Sequence, residues 1–227
     1  MAQDASTPYT LYGAPGSGAT PIHAAMTLIG LPVRTVDIAP WEGEAERERA
    51  GQVNPARQVP ALVTPEGELL TESAAILVWL GDRHPEAGLA PLPGDSLRGQ
   101  YLRWMSYVAT QIYALFWVRD APGRLTADAA AQAVLLERSA ERIAECWRLM
   151  DAGIRPLGAP ERPWLLGERP SLLDLYVAVA SRWTPKRRRF YAEAPFMAGA
   201  VRRVDALPAL AAFWAERFPF SPGWDGD

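Results

Sequence analysis

The sequence predicts an α/β domain followed by an all-helical domain. Three observations carry this. From Tyr9 to Arg83 the pattern reads strand, helix, strand, then strand, strand, helix. The stretch "PEAGLAPLPGDS", opening at Pro85, then packs three prolines and two glycines into twelve residues and reads as a linker. After it, every apolar pattern has helical spacing. The predicted boundaries are 8–84 for the α/β domain, 85–95 for the linker and 96–222 for the helical domain.

Thr10, Leu11 and Tyr12 form a short run of β-branched, aliphatic and aromatic residues, as strands prefer. Gly13, Pro15, Gly16 and Gly18 break it. After Pro21, Ile22, Ala25, Met26 and Ile29 fall at i, i+3, i+4 and i+7, the stripe of an amphipathic helix. Gly30 and Pro32 end it. "PVRTVDI" alternates and reads as a second strand, and "EGEAERERAGQ" as a short exposed helix or a mobile loop. "PALVT" and "GELL" pair across a turn at residues 65–67, and "SAAILVWLGDR" is a helix with Ser73 at its start. Beyond the linker, Leu97–Trp117 keeps helical spacing and "TADAAAQAVLLERSAERIAECWRLMDAGI" is a long amphipathic helix. "RPSLLDLYVAVASRW" opens with Ser171-x-x-Asp174, a capping box with Asp in place of Glu. "ALPALAAFWAERF" is a last helix.

Composition narrows the function classes. The chain has 227 residues, 49% of them hydrophobic, enough to build a core without staples. Its single cysteine, Cys146, excludes an internal disulfide and any Cys-x-x-Cys site, which suits a reducing, cytoplasmic setting. "MAQDAST" lacks the basic and apolar regions of a signal peptide, so none is expected. No apolar run reaches the length of a membrane span. A net charge of −3 argues against nucleic acid as partner. The basic run Lys186–Arg189 reads as a solvated helix end. Two histidines, His23 and His84, neither beside a nucleophile elbow, give poor support for a Ser-His-Asp hydrolase. No metal site is expected.

The chemistry concentrates between the first strand and the first helix. A helix start presents free N–H groups and the positive end of the macrodipole, so an anion is stabilised there. Ser17 in the loop and Thr20 just before Pro21 each offer a hydroxyl that can bond such an anion, or simply cap the helix.

Taken together, "NPARQVPALV", "LLTESAAILVWL" and "LLGERPSLLDLYVAV", in this order around this linker, resemble the cytosolic glutathione S-transferases of a serine-type, bacterial-looking class. The resemblance runs from Tyr9 to about Pro219. It implies a thioredoxin-like N-terminal domain, an all-helical bundle behind it, glutathione as cosubstrate, a small hydrophobic electrophile as second substrate, and a homodimer. It further implies that Val59–Pro60 is a cis bond, and that the Val59 backbone pairs with the cysteinyl part of glutathione as an added strand would. Glu72 and Ser73 match the pair that holds the γ-glutamyl end, and Gln58 a position that also reaches the peptide. For the second substrate, the first helix after the linker contributes Tyr107, Gln111 and Tyr113.

For the catalytic position the resemblance points to Ser17. The tyrosine of some classes corresponds here to Gly13; Tyr12 alternates to the opposite face and belongs to the core. Where other classes carry a catalytic cysteine, this chain has Gly18 and Ala19. The implied reaction is attack of the glutathione thiolate on the electrophile. Making thiolate the main form at pH 7 from a thiol of pKa about 8.5 requires a shift of about two units, or roughly 2.7 kcal/mol. One hydrogen bond to a charged acceptor supplies about 1.5–3 kcal/mol and the helix dipole about 0.3–1 kcal/mol. The alternatives are glutathione-dependent peroxide reduction at the same site, or a non-catalytic binding module of the same fold.

Overall fold

The computed structural model describes residues 8–157 and 162–220. The sequence predicts a loose tail over residues 1–7; that tail, and the end of the second predicted domain at 221–222, lie outside the described residues. Contacts divide the chain into two compact units: the first holds the chain up to Ala87 together with Pro208–Phe220, the second runs Gly88–Leu207.

The first unit is a four-stranded sheet with helices. β1 (Tyr9–Tyr12) leads through α1 (Thr20–Ile29) to β2 (Val33–Val36), and these strands pair in parallel, as a βαβ crossover requires. Burial alternates along β1: Tyr9 and Leu11 are buried while Thr10 and Tyr12 are half-buried. Tyr12 is therefore on the wetter face rather than in the core. α1 stops where Gly30 turns left-handed at φ 83° and returns its N–H to the carbonyls of Met26 and Thr27. α2 (Glu44–Gly51) forms from the charged segment, settling the choice between helix and loop. β3 (Ala61–Val63) pairs antiparallel with β1, and β4 (Leu69–Thr71) with β3, giving the order β2-β1-β3-β4. α3 (Ser73–Arg83) packs beside α1, with Ile76, Leu77 and Leu80 buried. The last helix, α10 (Ala211–Arg217), and the turn Pro208–Leu210 before it also pack on α1.

The second unit is helical: α4 (Arg98–Tyr107), α5 (Phe116–Arg119), α6 (Ala129–Ile154), α7 (Leu172–Ala180), α8 (Lys186–Glu193) and α9 (Pro195–Asp205). Every residue of α7 is buried, the mark of a helix that is apolar all round. The capping box predicted for it is present. The buried Asp174 carboxylate accepts the Ser171 N–H at 2.8 Å, the Ser171 hydroxyl at 2.6 Å and the Leu165 N–H at 2.9 Å. The helix predicted over 97–117 is not uniform. After α4 the winding widens to a π turn at Val108–Ile112 and tightens to a 3-10 turn at Tyr113–Leu115. The basic run also differs from expectation. Lys186, Arg188 and Arg189 are exposed, but Arg187 is 0% exposed. Arg187 donates to both Asp205 oxygens, at 2.6 and 2.9 Å, and to the Ala178 carbonyl at 2.6 Å. Spacing explains it: positions three apart on α8 face inward together, and beside the buried Phe190 that places Arg187, with the Asp205 carboxylate to receive it. Among the described residues no helix is long and apolar enough to cross a membrane.

Candidate active site

Register places the first unit's predicted site residues at one edge. Val36, Tyr12, Ala61 and Thr71 are successive Cα partners across the four strands. β1 runs antiparallel to β3, and β3 to β4, so three segments leave the sheet at the same end. They are the loop after Tyr12, which carries Ser17, the Val59–Pro60 bond before Ala61, and Glu72–Ser73 after Thr71.

The Ser17 loop is tied by its own hydroxyl. The Ser17 Oγ donates to the Ala14 carbonyl at 2.6 Å and accepts the Ala19 N–H at 3.2 Å. The Ser17 N–H also bonds the Ala14 carbonyl, at 3.1 Å, and its carbonyl accepts the Thr20 N–H at 3.0 Å. Ser17 is 8% exposed. It has one proton, so donation to a ligand means turning that O–H away from Ala14. Ala14 keeps the Ser17 N–H when this happens. The hydroxyl exchanges a neutral acceptor for a charged one, and the charged bond is roughly twice as strong. Gly13 leaves no room for a side chain, because a Cβ there would collide with the Ala19 methyl. A tyrosine at that position is thereby incompatible with this loop. Gly16 is left-handed at φ +75°, and a Cβ on it would lie 3.1 Å from the Phe218 ring.

The remaining residues of this edge present backbone. Val59–Pro60 is a cis bond, as the resemblance implied. Among the described residues, the Val59 N–H and C=O make no hydrogen bond to another main-chain group. They are open to an incoming strand. Gln58 is exposed, and its carbonyl accepts from the Asn54 amide at 3.0 Å, which holds the turn before it. Glu72 is exposed and sits left-handed at φ 65° as the residue capping α3, a backbone state costing of order 1–3 kcal/mol that recurs at binding sites. Ser73 is buried as the first residue of α3.

The acceptor residues predicted from sequence lie in the second unit and do not act as one group. The Tyr107 hydroxyl donates to the Cys146 carbonyl at 3.2 Å, and its ring meets Trp104 edge-on at 5.3 Å. Burial, with the Cys146 side chain adding to it, pushes its phenol up to about 12. Gln111 accepts from Arg142 at 3.2 Å. Both are turned toward α6. Tyr113 instead joins an aromatic trio, 4.9 Å from Trp183 and 6.4 Å from Phe116 between centroids. Phe116 and Trp183 were not singled out in the sequence. Trp183 is separated from Tyr113 by seventy residues, so periodicity within one helix has no means of pairing them.

A βαβ–ββα sheet with a cis-proline at the start of its third strand, followed in sequence by a helical unit, defines the class of proteins that join a thioredoxin-like domain to an all-helical one. The comparisons narrow that class. A family model described as glutathione S-transferase, N-terminal domain, matches residues 19–83. The uncharacterized GST-like protein YncG of Escherichia coli K12 is 30% identical over 201 residues, covering 88% of this chain and 94% of that protein. Glutathione S-transferase GstA of Escherichia coli O157:H7 is 29% identical over 134 residues, 58% of this chain and 59% of GstA. Among solved structures, a glutathione transferase homolog from Sulfitobacter with bound glutathione is similar at TM-score 0.78 and 25% identity, covering 92% of this chain and 98% of that one. The chain belongs to the cytosolic glutathione S-transferase family.

Proposed function

We propose that the protein is a glutathione transferase that ionises the glutathione thiol and directs it at a small hydrophobic electrophile. The observation that carries this reading is the shared register of Tyr12, Ala61 and Thr71, which brings a hydroxyl, an open main-chain edge and a helix start to one sheet end. The solved Sulfitobacter and sphingomonad relatives hold glutathione. In this reading the Val59 N–H and C=O pair with the cysteinyl unit, with Gln58 and the cis Pro60 fixing that edge. The start of α3 at Ser73 and the Glu72 carboxylate take the γ-glutamyl carboxylate and ammonium. The sulfur lies at the Ser17 loop, where the hydroxyl donates to the thiolate and is not itself a nucleophile. The thiolate forms a carbon–sulfur bond as the leaving group departs with its electron pair. Tyr113 contributes to the acceptor side, while Tyr107 and Gln111, turned toward α6, anchor the stretch that carries it. The working form is a cytoplasmic homodimer.

The internal Ser17–Ala14 bond gives weight to a second reading, a glutathione binder in which the hydroxyl only braces the loop. One experiment separates the two: retention on immobilised glutathione, followed by conjugation and peroxide-reduction assays. Conjugation of a chloronitroaromatic that falls at least tenfold in Ser17→Ala supports the transferase. Retention without turnover of either substrate leaves the binder.

A further inference from the structure

We infer that the C-terminal segment 208–220 is a positioning clamp for the Ser17 loop, with Phe218 and Arg217 as its acting residues. The inference rests on the assignment of Ser17 above. Three contacts, all within the first unit, carry it. The Phe218 ring lies against Gly16, the residue directly before Ser17, closely enough that a Cβ there would meet ring carbons at 3.1 and 3.2 Å. Arg217 reaches 180 residues back in sequence to grip both oxygens of Asp37, one of them at 3.1 Å. Asp37 directly follows β2, so its partner helix is fastened at the sheet end where the Ser17 loop emerges. Phe213 meets the His23 ring edge-on at 5.0 Å, one turn into α1. Beside Arg217 and the Phe213–His23 pair is a small cavity that Gly13, Ala14 and Thr20 also line. Thr20, which lines it, is 3% exposed, and its buried hydroxyl has no hydrogen-bond partner among the described residues.

The physical consequence concerns Gly16. A left-handed glycine has access to many other backbone states. A ring packed on its Cα removes those that would swing Ser17 away. The ion pair alone contributes little, since its Asp37 side is half exposed. Its part is to set where Phe218 sits. A hydroxyl that must exchange Ala14 for a sulfur within one loop conformation depends on that conformation being held.

The test measures the pKa of the thiol of bound glutathione by thiolate absorbance, beside the glutathione dissociation constant, in Phe218→Ala, Phe218→Tyr, Arg217→Gln and Ser17→Ala. The clamp predicts that Phe218→Ala raises the bound-thiol pKa by about one unit, a tenfold fall in the thiolate-to-thiol ratio at constant pH. Affinity for glutathione at pH 5.5, where the bound thiol is protonated in both proteins, changes less than twofold, Phe218→Tyr restores the pKa, and Arg217→Gln gives a smaller shift in the same direction. A purely structural role lowers the melting temperature but leaves the thiol pKa of the folded protein unchanged. A raised pKa in Ser17→Ala with wild-type values in both Phe218→Ala and Arg217→Gln overturns the clamp and keeps the Ser17 assignment. Wild-type values in all variants overturn the Ser17 assignment and the clamp with it.

Discussion

His23 shows how one side chain records its surroundings. Burial, then the neighbouring Arg217 charge, hold its pKa below the ordinary value, against the opposing pull of Glu216 and Asp37. An unfolded chain protonates this histidine near its free value of about 6.5. Above that pH neither state binds the proton, and the group adds no pH dependence. As the pH falls through about 6.5 the unfolded state takes up the proton first, so folding stability declines until the lowered native pKa is passed. His23→Gln removes this part of the slope. Denaturant midpoints of both proteins at pH 8 and pH 5.5 measure it: the wild type should lose more than the variant. Arg187 supplies a second test at this scale. Asp205→Ala leaves a fully buried guanidinium without its carboxylate and should cost about 3–5 kcal/mol. Replacing both partners with apolar residues should cost less, and urea unfolding distinguishes the two.

At the scale of elements, α7 is fixed at its first turn. Asp174→Ala leaves three donors, two backbone N–H groups and the Ser171 hydroxyl, buried without an acceptor. Each such group costs about 1–3 kcal/mol, so a loss above about 2 kcal/mol is expected from thermal unfolding. This cap was legible in the sequence because its signal is local: two residue types three positions apart. The strands and the long helix α6 were legible for the same reason. What the sequence did not disclose depends on distant partners. Arg187 sat in a run of charges that reads as solvated, and only the position of Asp205 made its burial possible. The engagement of the Ser17 proton by Ala14 follows from the loop's turn, which residue types do not specify. The π turn at 108–112 arises in a segment whose apolar spacing stays helical throughout. At the sheet edge, the cis Val59–Pro60 bond was readable from the resemblance; the aromatic partners of Tyr113, and the contact of Phe218 with Gly16, were not.

At the scale of the whole molecule, the first unit is discontinuous. Its final segment buries Leu210, Phe213 and Trp214. At about 1.5–3 kcal/mol for each large apolar side chain, their removal forfeits about 4–9 kcal/mol. That is comparable to the whole stability of an ordinary domain, about 5–15 kcal/mol. A chain ending at Leu207 should therefore lose the cooperative unfolding transition of the first unit and bind no glutathione, as calorimetry and affinity retention would show.

That discontinuity also bears on how the protein is made. Synthesis runs from the N-terminus, yet the sheet that is translated early completes its packing with a helix translated only after the intervening helical unit. While the ribosome works through the intervening helical unit, the outer surface of α1 waits uncovered, and with it the apolar ground on which Phe213 will rest. Emergence of residues 208–220, rather than of the β-strands, is then the event that lets the nascent sheet close, and a chaperone that shields α1 until that point would act in the interval when its apolar surface is exposed.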